Sequence, residues 1–329
     1  MIYVKKHFKE AKIQDINLDQ KPFSFSFPEF DQKLFNSISN IGLTNPPILL
    51  PSKKGDKYFI VSGLRRILAC KKLGMKVLQC FIIKKEDVRD YKKFILLNLN
   101  INLSQRELND IEKANLFKLL LEAGVSPEKI IRKYMAELKL EKSRKIYEDI
   151  LNLNSLDIKS KVRIIEWQFP LKTSAALSRY SMSDRVSVMK IAETLMLGIN
   201  RLREIMLFLE EIALIQKCSI KDIIEKYLMN IVEETKISRK EQIEKIRQKL
   251  KKLRYPQLAK MEKKWNECVK NLHFPPEIKI IPPFSFEGKK IKLEISFSTK
   301  DAVTNSLFKL NETLNSGSLA ELINLVNTN

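Results

Sequence analysis

The chain has 329 residues, with 60 Lys+Arg against 39 Asp+Glu and a formal charge of +21. That length suits two or three domains with separate cores, and the charge selects polyanionic partners, nucleic acid before a membrane surface, although a Lys-rich composition bias gives the same balance. No apolar run reaches the roughly 18 residues that span a bilayer and the N-terminus lacks the apolar core of a signal peptide, so a cytoplasmic protein is expected.

In chain order, Ile13, Ile16 and Leu18 form an apolar opening segment, and Phe23, Phe25 and Phe27 alternate as a half-buried strand does. Helical spacing follows over Asp31 to Ile41, through Leu34, Ile38 and Ile41. Pro46-Pro47-Ile48-Leu49-Leu50 reads as extended, Tyr58 to Val61 as a strand, Leu64 to Leu73 as a helix ended by Gly74, and Val77 to Ile83 as another strand. The most informative stretch is Gly63-Leu64-Arg65-Arg66, where a strand turns into a helix. Free N–H groups and the positive dipole end attract anions there, so two arginines in the first turn are electrostatically misplaced unless an anion offsets them. The order of elements implies a small α/β nucleotide or ligand domain.

From about 86 to 235 the texture is one amphipathic helix after another. Ser104-Gln105-Arg106-Glu107 has capping-box spacing ahead of Leu108, Ile111, Ala114 and Leu119, and Ser126-Pro127 stands in N-cap and N1 order. Lys142-Ser143-Arg144 opens a further helix carrying Tyr147, Ile150 and Leu151. Two helices joined by the brief Lys139-Leu140-Glu141 break have the form of a helix-turn-helix with Lys142, Ser143 and Arg144 at the end that meets DNA; a generic helical hairpin has the same pattern. Residues 236–270 then carry 13 Lys/Arg against 4 Asp/Glu, with Pro256 breaking or kinking the helical arm. The arm suits phosphate contact or a solvated connector. In the tail, Ile278 to Ile281 and the alternating Ile291, Leu293, Ile295 and Phe297 read as strands about Glu287-Gly288. A helix follows from Lys300 under Ser298 or Thr299, and Ser318 with Glu321 marks another capping box. A unit this small gains a core by pairing with a second copy.

Cys70, Cys80, Cys218 and Cys268 lack C-x-x-C spacing, and His7 and His273 stand alone, so neither a disulfide framework nor a metal site is read. The fold class is α+β. The expected division is an N-terminal α/β domain over 1–100, an all-α domain over 101–235 with the helix-turn-helix near 126–153, a basic helical linker over 236–272 and a strand–strand–helix unit over 273–329.

Together these pieces resemble the ParB family of partition and nucleoid-associated proteins. Three motifs carry the resemblance: Gly42-Leu43-Thr44-Asn45-Pro46-Pro47-Ile48, Gly63 to Ala69, and Ile101-Asn102 leading to Leu108-Asn109-Asp110-Ile111-Glu112 and Ala114. The resemblance implies a CTP-binding N-terminal domain, a DNA-binding helix-turn-helix and a dimerising C-terminal unit. Residue by residue it assigns nucleotide contact to Gly42, Asn45, Gly63, Arg65, Arg66 and Asn102, and DNA contact to Lys142, Ser143 and Arg144. Three departures bear on chemistry. Leu64 and Ile101 stand where the family has acidic residues that help hold the metal and support hydrolysis, and magnesium needs oxygen ligands, so CTP binding without hydrolysis, or with residual CTPase, is expected. Gln105 replaces an arginine, which removes one bidentate phosphate contact. Glu141 stands at the family's turn glycine.

The function these features imply is a dimeric clamp on double-stranded DNA, controlled by CTP, in chromosome or plasmid partition or nucleoid organisation. A ParA-type ATPase partner is not supported by the short segment before the first structured run. Two alternatives keep the fold: a transcription regulator with a vestigial nucleotide pocket, and a ParB-like nuclease or kinase, for which only Glu112 offers an acid near the Gly63 motif, more simply read as a helix-surface or capping residue.

Overall fold

The computed structural model describes residues 5–52, 57–84, 91–315, 317 and 319–327. They form two compact units, residues 1–181 and 182–329.

The first unit begins with a four-stranded sheet in the order β1-β4-β2-β3, from β1 (Lys6–Lys12), β2 (Ile48–Pro51), β3 (Tyr58–Ser62) and β4 (Val77–Ile83). β1 lies antiparallel to β4 and β2 parallel to it, while β2 and β3 are antiparallel with a register shift between Ile48 and Leu49. β1 escapes the sequence reading because it is an edge strand whose described residues are exposed except for Ala11, so it has no apolar alternation to detect. Helices α1 (Gln32–Ile41) and α2 (Leu64–Lys72) pack together, and Ile38, Leu64, Ile67 and Cys70 close a core with Leu49, Ile60 and Leu78. Asp31 caps α1 by accepting from the Lys33 and Leu34 amides.

Phe23 and Phe25 are fully buried as alternation predicts, but the segment is not a strand. Its backbone groups bond to side chains: Asn98 Nδ2 donates to Phe23 O (2.8 Å), Asn115 Nδ2 to Phe25 O (3.2 Å) and Asn109 Nδ2 to Phe27 O (2.8 Å). Three asparagines thus do for this segment what a neighbouring strand does in a ladder.

Helices α3 (Tyr91–Leu103) and α4 (Asp110–Glu122) follow. The expected capping box at Ser104 is displaced. Ser104 Oγ instead donates back to Ile101 O, and the box that starts α4 is formed by Asn109 and Glu112. The same four-residue pattern occurs twice within nine residues, and helix packing selects the second.

Ser126 caps the next helix, with Pro127 at its first turn: α5 (Pro127–Lys129), a π-helical turn over Ile130–Tyr134 and α6 (Met135–Glu137) run on continuously. A turn leads to α7 (Arg144–Asn152), capped by Ser143. The left-handed residue of that turn is Lys139 (φ 56°). Glu141, at the expected glycine position, needs no positive φ, so the turn closes without glycine. Tyr147 of α7 stacks on Phe117 of α4 at 5.6 Å, fixing the hairpin to the domain. Helices α8 (Ile158–Glu166) and α9 (Leu171–Arg179) complete the unit.

The second unit contains α10 (Met182–Thr194), α11 (Ile199–Gln216), α12 (Ile220–Tyr227), α13 (Met229–Val232), α14 (Arg239–Arg254) and α15 (Pro256–Asn271). Pro256 divides the basic stretch into α14 and α15, as expected. α14 is docked through fully buried Ile246 and Leu250, and Arg247 and Arg254 pair with Glu204 and Glu211 of α11. Those two cations of the basic stretch therefore have internal partners. The tail forms the antiparallel pair β5 (Ile278–Ile281) and β6 (Lys292–Ile295), then α16 (Lys300–Asn315), capped by Thr299, and α17 (Leu319–Asn327). Ser318, half of the expected second box, lies outside the described residues. Trp265, Leu272, Phe286, Leu322 and Val326 form a small core. Among the described residues no helix is long and apolar enough to cross a membrane.

Candidate functional site

Side chains from α1, α2, α3 and the loops before β2 and α4 converge on a cleft of about 280 Å³. Gly42, Asn45, Gly63, Arg65, Arg66 and Asn102 all line it, as do Leu64, Ile101, Gln105 and Arg106. Three stretches separated by about twenty to forty residues in sequence thus share one concavity.

Gly63 enters α2 in the left-handed region (φ 99°), and a Cβ there stands 2.8 Å from Pro47 Cβ. Only glycine permits both that φ and the close passage of the 46–47 loop. Gly63 supplies no side-chain cap, so the N-terminus of α2, whose first residues line the cleft, has no capping side-chain oxygen.

The two arginines are not equivalent. Arg65 donates from Nε to Pro28 O (2.9 Å) and from Nη2 to Phe27 O (3.0 Å) and Glu112 Oε1 (2.9 Å). Arg66 donates to Asn45 O (2.6 Å) and Pro46 O (3.4 Å), both neutral carbonyls. Burial pushes both guanidinium groups below the ordinary arginine value, with Glu112 opposing the shift at Arg65. Arg65 therefore already has the anion that its place in the first turn demands, and Arg66 does not.

Glu112 is the residue the sequence reading undervalued. The capping role holds, but its side chain is fully buried, not on the helix surface. It receives Arg65 Nη2, Arg106 Nη1 (2.6 Å) and Nη2 (2.8 Å), and the amides of Phe27 and Asn109 (both 3.2 Å). A buried carboxylate with this many donors is compensated; stripped of them it is costly. Arg106, also missed, donates to Asn102 Oδ1 (3.1 Å) as well and lines the cleft beside Gln105. The cationic group absent at 105 is thus present one residue on. The signal was the N-x-x-E spacing of Asn109 and Glu112, which marks a helix start in the sequence but says nothing of the two arginines that reach it.

Leu64 both lines the cleft and sits in the apolar core, 3 % exposed, and Ile101 is aliphatic. Asp31 is the one carboxylate among the lining residues, and it already caps α1. That donor set does not fit a magnesium site, which needs a near-octahedral shell of oxygens.

At the helical hairpin, Lys142 and Arg144 are exposed at the start of α7. Arg144 Nε donates to Glu148 (2.8 Å), and its guanidinium lies over Tyr147.

Residues 4–99 match the ParB N-terminal domain family. The chain is 38% identical over 136 residues to the probable chromosome-partitioning protein ParB of Campylobacter jejuni, covering 40% of this chain and 45% of that protein. It is 30% identical over 102 residues to the chromosome-partitioning protein Spo0J of Thermus thermophilus, covering 31% and 36%. The matched stretch spans about half, or less, of the length of these curated relatives. Among solved structures, the C-terminally truncated ParB of Caulobacter crescentus complexed with CTP-gamma-S aligns at 20% identity over 53% of this chain and 93% of that one, TM-score 0.25. The same protein complexed to the centromeric parS site aligns at 19% identity over 59% and 96%, TM-score 0.32. The likeness to the ParB family is thus concentrated in the N-terminal domain, where residues 4–99 match the ParB N-terminal domain.

Proposed function

We propose that the chain is a ParB-like DNA-binding protein of chromosome or plasmid partition or nucleoid organisation, a dimer whose N-terminal cleft takes CTP as a conformational ligand. The observation that carries this reading is the convergence of Gly42, Asn45, Gly63, Arg65, Arg66 and Asn102 on one cleft at the N-terminus of α2. Open amides and a cation without a carboxylate partner at a helix N-terminus suit phosphate. Arg66 exchanges its carbonyl acceptors for phosphate oxygens, while Arg65 and Arg106 hold the cleft wall through Glu112. The chromosome-partitioning names of the curated relatives support the same direction.

Leu64 and Ile101 provide no metal ligand, so bound nucleotide acts by favouring one conformation, which requires tighter binding to that state than to the other. DNA is met at the start of α7 by Lys142, Ser143 and Arg144, with a helix N-terminus among the phosphates. The C-terminal unit supplies the dimer contact.

Calorimetric titration with CTP, ATP and GTP, in magnesium and with mixed duplex DNA, tests the reading. CTP-selective binding that is lost in Arg66→Ala is the expected result. A second reading has its own support, because both arginines already satisfy themselves on protein acceptors. In that reading the pocket is vestigial and the chain is a transcription regulator; no nucleotide binds, while DNA affinity still falls steeply with salt.

A further inference from the structure

A second cleft, of about 850 Å³, lies at the other end of α2 and shares no lining residue with the first. Lys12 at the end of β1, Lys57 ahead of β3, Lys71 in the last turn of α2 and Lys76 ahead of β4 all line it, and Asp19 is its one lining carboxylate. Four cations from four separate segments thus meet in one concavity.

Several other lysines of this domain are engaged by protein groups. Lys21 pairs with Glu29, Lys113 with Asp110, and Lys72, next to Lys71, lies over the Phe30 ring at 4.3 Å. Lys12, Lys57, Lys71 and Lys76 make no such contact among the described residues, and all four are exposed. Lys71 gains from the negative end of the α2 dipole, but that accounts for one of the four. Like charges within a Debye length of about 10 Å at 0.1 M salt repel, and a polyanion removes the repulsion.

The cleft is also preformed. Ile13 N donates to Lys76 O (2.9 Å) and Asn17 N to Tyr58 O (2.8 Å), fastening the 13–17 wall to the sheet. Asn17 Oδ1 accepts from the Asp19 and Gln20 amides, and Ile13 and Ile16 give a buried apolar floor. The cations therefore stand on a fixed frame. The nine residues of α2 separate the two clefts by about 13 Å, so this one is not an extension of the nucleotide site.

We infer that Lys12, Lys57, Lys71 and Lys76 form a second phosphate-backbone contact for duplex DNA on the N-terminal domain, independent of the α7 contact. Lysine as a hydrated point charge suits sequence-independent phosphate contact, and the chain's net charge of +21 places it near such polymers. The inference rests on the DNA-binding reading.

The test is the salt dependence of duplex binding by the full chain, using a duplex of arbitrary sequence. Three proteins are compared: the unaltered chain, the variant K12Q/K57Q/K71Q/K76Q, and a control of equal charge, K33Q/K159Q/K172Q/K190Q, whose lysines are exposed and outside both clefts. All eight positions are exposed, so folding is retained, and circular dichroism checks it. The cleft variant is expected to bind roughly tenfold or more weakly, with its slope of log K against log salt shallower by about 3 to 4, while the control loses much less. Equal losses in both variants overturn the inference, since net charge alone then explains them. No salt-dependent binding by the unaltered chain overturns the DNA reading itself. Unchanged nucleotide titration in the cleft variant is the expected sign that the two clefts are separate.

Discussion

In the N-terminal domain Phe23, Phe25, Leu49 and Ile67 are fully buried, whereas in the C-terminal unit Phe284, Phe297 and Phe308 stand 89, 62 and 73 % exposed. The first region has a finished core, and its irregular Phe23–Pro28 segment is tied down by Asn98, Asn109, Asn115, Arg65 and Glu112. The second closes a small core around Trp265 and leaves aromatic surface in water, along with Leu307 and Leu314. The difference separates a region that holds a site by internal bonds from one whose exposed apolar surface suits a further surface, which we propose is a second copy.

The largest effect is expected where the finished region is most tightly bonded. Glu112→Ala leaves the Arg65 and Arg106 guanidinium groups without their carboxylate and frees the Phe27 amide, and should cost about 3–5 kcal/mol in urea unfolding. A loss under 1 kcal/mol would show that the ion cluster does not hold the domain. Gly63→Ala comes next, at about 2–4 kcal/mol, because the added Cβ meets Pro47 and the backbone stays at positive φ. Thermal unfolding measures it, and a neutral result would mean the 46–47 loop moves aside freely.

The unfinished region should answer differently. Phe297→Ser together with Phe308→Ser should leave monomer stability within about 0.5 kcal/mol, as surface changes do, yet raise the dimer dissociation constant at least about tenfold in sedimentation equilibrium. Unchanged association would place the dimer contact elsewhere. The smallest effect concerns pH. Burial pushes the Cys80 thiol up to about 11. The unfolded chain then ionises this thiol above its ordinary value near 9 while the folded chain keeps the proton, so stability falls as pH rises from about 9 to 11, by roughly 1 kcal/mol per unit. Cys80→Ala should flatten that part of the stability profile, and an unaltered slope would assign it to other groups.

Much of the fold was legible in the residues. Strands β2, β3 and β4, helices α1 and α2, the Ser126-Pro127 start, the Ser143 cap, the break at Pro256 and the tail hairpin all follow from periodicity, caps and breakers, which act over a few neighbouring residues. β1 was not legible, because an exposed edge strand has no buried face to write a pattern. The Phe23 segment was misread as a strand, since alternation records burial and not who accepts the hydrogen bonds.

The same division runs through the candidate site. The sequence by itself determined which residue types stand at the two ends of α2: a glycine and two arginines at one, lysines at the other, with Leu64 and Ile101 excluding oxygen ligands, because identity and local spacing are properties of the chain. Only the tertiary structure decided that Arg65 is spent on Glu112 and Phe27 while Arg66 rests on carbonyls, that Arg106 joins the wall, and that four distant lysines share a cleft. Ion pairs act over a few ångströms, and Glu112 is 47 residues from Arg65. Distances that short between residues so far apart in sequence exist only after the chain has folded.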